Sequence, residues 1–487
     1  MSRVVRQIGT MVFSDEDQQR FAVMSGDRNP MHMDPIVARR LITGRQVVHG
    51  IHVLVTALEF WCREQPDPLV SISCVFSNPV SVGDRVIFSQ LDEAGQPTVL
   101  EAVVDGLPCA RVTLTLAPES PVAGSGGIQA HVVGADERSL LERSAHPLDE
   151  EPRYHEGKRY ALLLDHSDLS VHFPNVNRYL GQEVLASVLA LSYVVGMVCP
   201  GLHSVFSSAD FSLSNAAAAD GSLRFAVRKY DPRFGLFDIR VDGPIQGAVK
   251  AFLRPPAQSQ PSVQELVQHV RPQEFSGTKS LVIGGSRGLG ELTAKILAAG
   301  AGASIITYAH GFKDACAVRD AINGFAPAHC QALHMDFYVD RFDSALIDWN
   351  SLDTVYFFAT PRIFRKKADV FDTRLFQEFC DFYVAKFYEL CSFLETTLTQ
   401  RQMTVCLPST VFVEERPKGM AEYAMAKAAA EVMAQEINRS FKRVAVLCTR
   451  LPRLSTDQTT SIVKLATGSN VQTLLPLVRS MQRPRAL

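Results

Sequence analysis

The segment that most restricts what this 487-residue chain can become is Ser25-Gly26-Asp27-Arg28-Asn29-Pro30-Met31-His32-Met33-Asp34. Proline fixes its own φ and pushes the preceding residue out of helical conformation, so Asn29-Pro30 marks an abrupt change of chain direction. Around that turn stand a carboxylate, Asp27, and an imidazole, His32. Together the two can hold one water, take a proton from it and hand a proton to a neighbouring carbon, which neither could do alone.

The pattern Ser25-Gly26-Asp27-x-Asn29-Pro30-x-His32-x-Asp34, answered by Val48-His49-Gly50, resembles the MaoC-like (R)-specific enoyl-CoA hydratases, enzymes of the hotdog fold. The resemblance implies that Asp27 and His32 are the catalytic pair. It also implies that Gly50 starts the long hotdog helix, where its backbone N–H polarises a thioester carbonyl and stabilises developing enolate charge.

At this length the chain needs more than one core. A hydrophobic content of 46%, a charged content of 21% and a net charge of −2 describe an ordinary globular protein and give no reason to expect nucleic acid. No apolar run reaches the ~20 residues of a membrane span, and the first residues lack the apolar segment of a secretory signal. Ten cysteines at 62, 74, 109, 199, 316, 330, 380, 391, 406 and 448 form no Cys-x-x-Cys, which predicts a reducing cytoplasm with neither metal site nor disulfide frame.

Three blocks are expected: 1–120, 151–256 and 275–487. Gly/Ser/Pro-rich stretches separate them, Pro118 to Gly127 and Pro255 to Pro261. The first two blocks read as diverged copies. In each, a helix is followed by a strand-like run, Leu69-Val-Ser-Ile-Ser-Cys-Val-Phe in one and Ser204-Val-Phe-Ser-Ser-Ala-Asp-Phe in the other. One helix wrapped by an antiparallel sheet leaves an edge that a second unit must cover, so a double hotdog is expected.

The second block has a weaker similarity to acyl-carrier-protein dehydratases through His172-Phe-Pro-Asn175 and Gly181. The acidic partner of that pattern is missing, because position 186 is Ala and Glu183 falls on another helical face. This block is expected to be degenerate, a wall of the substrate tunnel with His172 structural.

In the third block, Lys279 to Ile283 reads as a strand and Gly284-Gly285-Ser286-Arg287-Gly288-Leu289-Gly290 as a glycine turn opening a helix. Such a turn lets backbone N–H groups approach a pyrophosphate. Further βα alternation follows through Ala303–Tyr308, Thr354–Ala359, Met403–Ser409 and Val444–Cys448, the pattern of a doubly wound parallel sheet. Tyr423 and Lys427 lie four residues apart on one helical face, where an ammonium favours the phenolate.

Together these features resemble the short-chain dehydrogenase/reductases over about residues 278 to 460. The resemblance implies Tyr423 as proton donor, Lys427 as its tuner and a holder of the cofactor ribose, and Ser409, with Thr410 competing, as the hydroxyl that orients a carbonyl. Asp336 matches the residue that contacts adenine. Two departures stand out: Phe358-Ala-Thr-Pro361 replaces the usual Asn-Asn-Ala-Gly, and the relay asparagine falls near Tyr383-Val384. No carboxylate ends the second strand, whereas Arg287, Lys313 and His310 can reach that region, so NADP(H) is expected.

The expected fold is an α+β double hotdog followed by an α/β Rossmann-type doubly wound parallel sheet. The expected function is bifunctional: NADPH-dependent 3-oxoacyl thioester reduction and (R)-3-hydroxyacyl dehydration or 2-enoyl hydration on a CoA or carrier-protein thioester. A homodimer through the third block is expected as well. Two rival readings are a hydratase whose third block binds nucleotide without turnover, and an acyl-binding scaffold. Intact Asp27, His32, Tyr423 and Lys427 speak against the scaffold.

Overall fold

The computed structural model describes residues 4–41, 43–64, 67–93, 96–117, 139–214, 221–343, 345–365, 369–399, 402–459 and 468–482. The linker expected from Pro118 to Gly127 lies outside the described residues. Contacts divide the chain into two units that part between Pro256 and Ala257.

The first unit is built on one sheet. Its strands are β1 (Val4–Val12), β2 (Leu69–Phe76), β3 (Arg85–Asp92), β4 (Thr98–Val104), β5 (Leu107–Leu116), β6 (Ser139–Leu140), β7 (Arg159–Leu163), β8 (Ser204–Leu213), β9 (Ser222–Asp231), β10 (Leu236–Asp242) and β11 (Ile245–Leu253). The strand order is β1-β3-β4-β5-β2-β8-β11-β10-β9-β7-β6, antiparallel except for the short β6–β7 pair. With the short β6 set aside and the strands numbered within each half, both halves follow the order 1-3-4-5-2, and they meet where the two second strands pair, Ile72 opposite Phe211 and Cys74 opposite Ala209.

Period-two alternation explains which face is covered. On β3, Val86 and Phe88 are buried while Arg85 and Ile87 face outward, and on β2, Ile72 and Cys74 are buried. Against that face lie two apolar helices, Gly50–Trp61 and Gln182–Tyr193, the latter continuing as a π-helical turn over Val194–Val198. Leu54, Leu58, Leu185 and Leu191 are buried there, each side chain contributing about 2 kcal/mol by leaving water. Among the described residues no single helix is long and apolar enough to cross a membrane, and the bent pair Pro174–Leu180 with Gln182–Val198 supplies this core.

The second unit holds a six-stranded sheet, all parallel. Its strands are β12 (Lys279–Ile283), β13 (Ala303–Tyr308), β14 (Cys330–His334), β15 (Thr354–Phe357), β16 (Met403–Thr410) and β17 (Val444–Leu451). Their order is β14-β13-β12-β15-β16-β17, so the winding reverses between β12 and β15. Parallel strands buried on both faces read as continuous apolar runs, and here Leu281 and Ile283 enter one core while Val282 enters the other. Helices Gly288–Ala299, Phe312–Phe325 and Asn470–Met481 cover one face; Thr373–Cys380, Phe387–Thr397 and Ala421–Ser440 cover the other.

Candidate active site

Every residue of the Asn29-Pro30 motif has a local task. Helix Asp15–Ser25 ends on Gly26 at φ 78°, a left-handed position that glycine adopts without strain. The Ser25 hydroxyl donates to the Phe21 carbonyl and accepts from the Asp27 N–H at 3.1 Å. Asn29 caps the short helix Pro30–Met33 by accepting from the Met31 N–H, with Pro30 at its first position. Its amide donates to the carbonyls of Gly196 at 2.8 Å and Gly201 at 3.1 Å, in the second half of the unit. Asp34 caps the next turn through the Ile36 N–H at 2.7 Å.

Asp27 and His32 are thereby held side by side and buried, at 2% and 8% exposure. The Asp27 carboxylate accepts from the Ser192 hydroxyl at 2.7 Å and from the Asn29 N–H at 3.1 Å. His32 Nδ1 lies 2.7 Å from the Val47 carbonyl; a carbonyl only accepts, so Nδ1 carries the hydrogen and Nε2 keeps its lone pair. Burial raises the Asp27 carboxyl, opposed by His32, Ser192 and Asn29. Burial also lowers His32, opposed by Asp27 and the Val47 carbonyl and reinforced by Arg254. The imidazole is thus kept neutral and basic nitrogen is available beside a carboxylate.

The first half of this unit supplies the pair, and the second half holds it. A Cβ on Gly196 would run into both carboxylate oxygens of Asp27, so only glycine lets that helical turn come so close. The buried guanidinium of Arg254 donates to the Leu202 carbonyl at 2.6 Å, one residue beyond the Gly201 carbonyl that Asn29 uses. Desolvation brings Arg254 down to about 10. Gly50 is the first residue of helix Gly50–Trp61, and N–H groups in a first turn have no acceptor within their own helix. Nothing in the sequence motif pointed to Ser192, Gly196 or Arg254; only the duplicated pattern hinted that a second half was needed.

That second half lacks a matching pair. Phe173-Pro174 opens helix Pro174–Leu180 as Asn29-Pro30 opens Pro30–Met33, so by position in the turn Val171 stands for Asp27 and Val176 for His32. Glu59, on helix Gly50–Trp61, accepts from the N–H groups of Asn175 at 3.1 Å and Val176 at 3.0 Å, and from the Asn175 amide. A carboxylate so engaged caps a helix. His172 is exposed, and Glu183 is paired with His166 at 3.3 Å.

Atoms of Asp27, His32 and His49 lie within 4.8 Å of one another, a spacing that invites a metal. The two imidazoles stack, however, 26° from parallel, so their in-plane lone pairs run alongside each other and do not converge.

In the second unit the glycine turn sits where the sheet reverses, the usual ligand crevice of an open parallel sheet. Gly284 and Gly288 have φ of 80° and 60°, a Cβ on Gly284 would lie 2.6 Å from the Ala359 nitrogen, and one on Gly290 would strike the Gly284 carbonyl. Helix Gly288–Ala299 starts with no side-chain cap, and Ser286 and Leu289 flank its first turn. These are the properties of a cradle for a dinucleotide pyrophosphate.

Arg287 pairs with Asp457 at 3.4 Å. The Asp336 carboxylate accepts from the Tyr338 N–H at 3.0 Å within its own loop, and Lys313 is exposed in the first turn of Phe312–Phe325. Ser409 donates to Glu431, itself held by Arg450 at 2.8 and 2.6 Å, two turns along the helix from Tyr423. The Thr410 hydroxyl accepts from the Phe412 N–H at 3.2 Å.

Burial and the Tyr383 ring dominate the surroundings of Tyr423 and Lys427. Lys427 donates to the Pro408 carbonyl at 2.7 Å and lies 3.9 Å from the Tyr383 ring centroid, against 5.8 Å for Tyr423. Burial lowers Lys427 to about 7 and pushes the Tyr423 phenol up. Tyr383, near the place expected for the relay asparagine, packs edge-on against Tyr423 and bonds Thr360 through its hydroxyl.

Comparison with known proteins bears on the two units unequally. Residues 2–96 match the family model described as MaoC like domain. Over those residues the chain is similar to the MaoC like domain. The chain is also similar to the mitochondrial 3-hydroxyacyl-[acyl-carrier-protein] dehydratase of Arabidopsis thaliana, 37% identical over 79 residues, 16% of this chain and 48% of that protein. The chain thus spans about half the length of that curated relative.

Among solved structures, a putative short chain dehydrogenase from Escherichia coli CFT073 is 18% identical with a TM-score of 0.35, covering 43% of this chain and 93% of that one. A short chain dehydrogenase from Salmonella enterica serovar Typhi gives 16% and 0.38, covering 46% and 93%. An alternative dihydrofolate reductase from Brucella suis in complex with NADP gives 16% and 0.31, covering 35% and 70%.

Proposed function

We propose that this protein is a bifunctional acyl-thioester enzyme: an (R)-specific enoyl hydratase/3-hydroxyacyl dehydratase built on a double hotdog, joined to an NADPH-dependent 3-oxoacyl reductase on a Rossmann-type sheet. The observation that carries the first activity is the buried Asp27 carboxylate beside a His32 ring whose Nε2 is unprotonated. A water between them loses a proton to this pair as its oxygen bonds C3 of the enoyl thioester, and C2 receives a proton from the same pair. The Gly50 N–H donates a hydrogen bond to the thioester oxygen as negative charge develops on it. Dehydration is the reverse.

For the second activity, Gly284, Ser286, Gly288, Leu289 and Gly290 would hold the pyrophosphate of NADP(H), with Arg287, Lys313 and Asp336 around the adenosine half. When bound, such a cofactor would supply hydride chemistry at a 3-oxo group, and Tyr423 would supply the proton. The shared intermediate, a 3-hydroxyacyl thioester on CoA or a carrier protein, is the reason to join the two on one chain. A specific observation favours a second reading, nucleotide binding without turnover: Ser409 is engaged by Glu431 and Lys427 lies over Tyr383.

One experiment separates the two. Crotonyl-CoA hydration and NADPH consumption on a panel of 3-oxoacyl thioesters are measured for the wild type, Asp27→Asn and Tyr423→Phe. Loss of hydration alone in the first variant and of reduction alone in the second is expected. A wild type that binds NADPH yet consumes none leaves the hydratase as the sole activity.

A further inference from the structure

The acid–base pair is braced by a third ring that the proposed chemistry does not use. His49 has no exposed surface. Its ring stacks on His32 with centroids 4.0 Å apart and packs on its neighbour Phe21 at 4.8 Å. Its Nε2 lies 3.1 Å from the Asp27 backbone carbonyl, and because a carbonyl only accepts, Nε2 carries the hydrogen and donates it. The Asp27 carboxylate is farther, at 3.9 Å, outside hydrogen-bond range.

The other ring nitrogen argues that this donor matters. Nδ1 is buried and has no hydrogen-bond partner among the described residues, an arrangement that costs stability. A ring present only to fill space would be better as phenylalanine, which leaves nothing unpaired. Burial, with His32 and His52 nearby, keeps His49 neutral, so its contribution is a hydrogen bond and a surface, not a charge. It also immediately precedes Gly50 as the N-cap of helix Gly50–Trp61. One side chain therefore joins the Asp27 backbone, the plane of the His32 ring and the start of the helix.

We propose that His49 is a positioning residue for water addition: its Nε2–H bond to the Asp27 carbonyl holds the carboxylate in the placement relative to the His32 imidazole that one water requires. This rests on the hydratase reading of Asp27 and His32. Displacements of about 1 Å at such a pair cost on the order of 100-fold in rate, which is the scale on which a brace becomes visible.

The test uses the full chain, crotonyl-CoA as probe, and thermal melting alongside kinetics for the wild type, Asp27→Asn, His49→Phe and His49→Gln. His49→Phe keeps the stack and removes the donor. His49→Gln keeps a donor and removes the ring. For His49→Phe, kcat is expected to fall about 10- to 100-fold with KM within about twofold and melting unchanged or higher. His49→Gln is expected to melt lower yet retain more kcat than the Phe variant, a split that a purely structural role would not produce. Wild-type kcat in His49→Phe, or kcat that follows melting temperature in both variants, overturns the proposal. If His49→Phe does not fold, His49→Gln decides alone: kcat within about threefold of wild type despite a lower melting point supports the brace, and a loss beyond about tenfold overturns it. Asp27→Asn separates the two layers of inference. Hydration by that variant at the wild-type rate removes the hydratase reading itself, whereas an inactive Asp27→Asn beside a fully active His49→Phe removes only the role of His49.

Discussion

Ser192 donates its hydroxyl to the Asp27 carboxylate at 2.7 Å from the opposite half of the same unit, 165 positions away in sequence. A bond to the ionised form favours that form and opposes the burial that raises this carboxyl. In Ser192→Ala the Asp27 pKa therefore moves further up, and the acid limb of the hydration rate shifts by about one to two pH units toward neutrality, given about 1.5–3 kcal/mol for a bond to a charged group. A profile of kcat/KM against pH checks the sign; an unmoved limb means that Ser192 does not control Asp27.

Gly196 tests the same seam by bulk. A methyl group there would collide with both oxygens of Asp27. Gly196→Ala should lower hydration about 100-fold by displacing the carboxylate, while nucleotide binding by the second unit stays as in the wild type. Steady-state kinetics and calorimetry on one preparation give both values, and full hydration activity would mean that the helical turn yields instead.

Stability of the first unit should fall as the solution is acidified. His52 is buried, stacks on Phe21 with centroids 4.5 Å apart, and is lowered to about 3, mainly by burial. Below about 6.5 the unfolded chain takes up a proton that the folded ring refuses, so stability present above that pH is lost on the way down to the folded value. The slope is about 1.4 kcal/mol per pH unit for one such histidine. His32 and His49 act in the same direction. His52→Phe, which keeps the stack, should reduce the stability loss between pH 6.5 and 5 by about 2 kcal/mol in urea titrations. Parallel losses in both proteins would show that His52 is protonated in the fold.

The proposed preference for NADPH rests on Arg287, which faces Asp457 at 3.4 Å. Arg287→Ala should weaken NADPH about tenfold more than NADH, since a charge-assisted phosphate contact is lost. Asp457→Asn, by relieving a competing pair, should tighten NADPH selectively. Calorimetry with both cofactors decides, and equal changes for NADPH and NADH would remove the phosphate contact from Arg287.

Much of this was legible in order along the chain. The turn at Asn29-Pro30, the caps at Asn29 and Asp34, the left-handed Gly26 and the glycines of the Gly284–Gly290 turn all depend on interactions within a few residues, where backbone stereochemistry speaks directly through residue type. The duplication was readable for a related reason, since helix followed by alternating strand is a local pattern repeated twice.

What neighbours across space decide could not be read that way. That Ser192 and Gly196 hold Asp27 and that Glu59 caps a helix of the second half follow from β2 pairing with β8, a contact between distant strands. In the second unit, Tyr423 and Lys427 keep their helical spacing, yet burial and the Tyr383 ring, not that spacing, set the protonation of Lys427 and the surroundings of Tyr423. Residue types and short spacings determine which chemical groups are present and how each turn is made. Desolvation and long-range contacts, which exist only once the sheets close over their helices, decide which of those groups can share a proton.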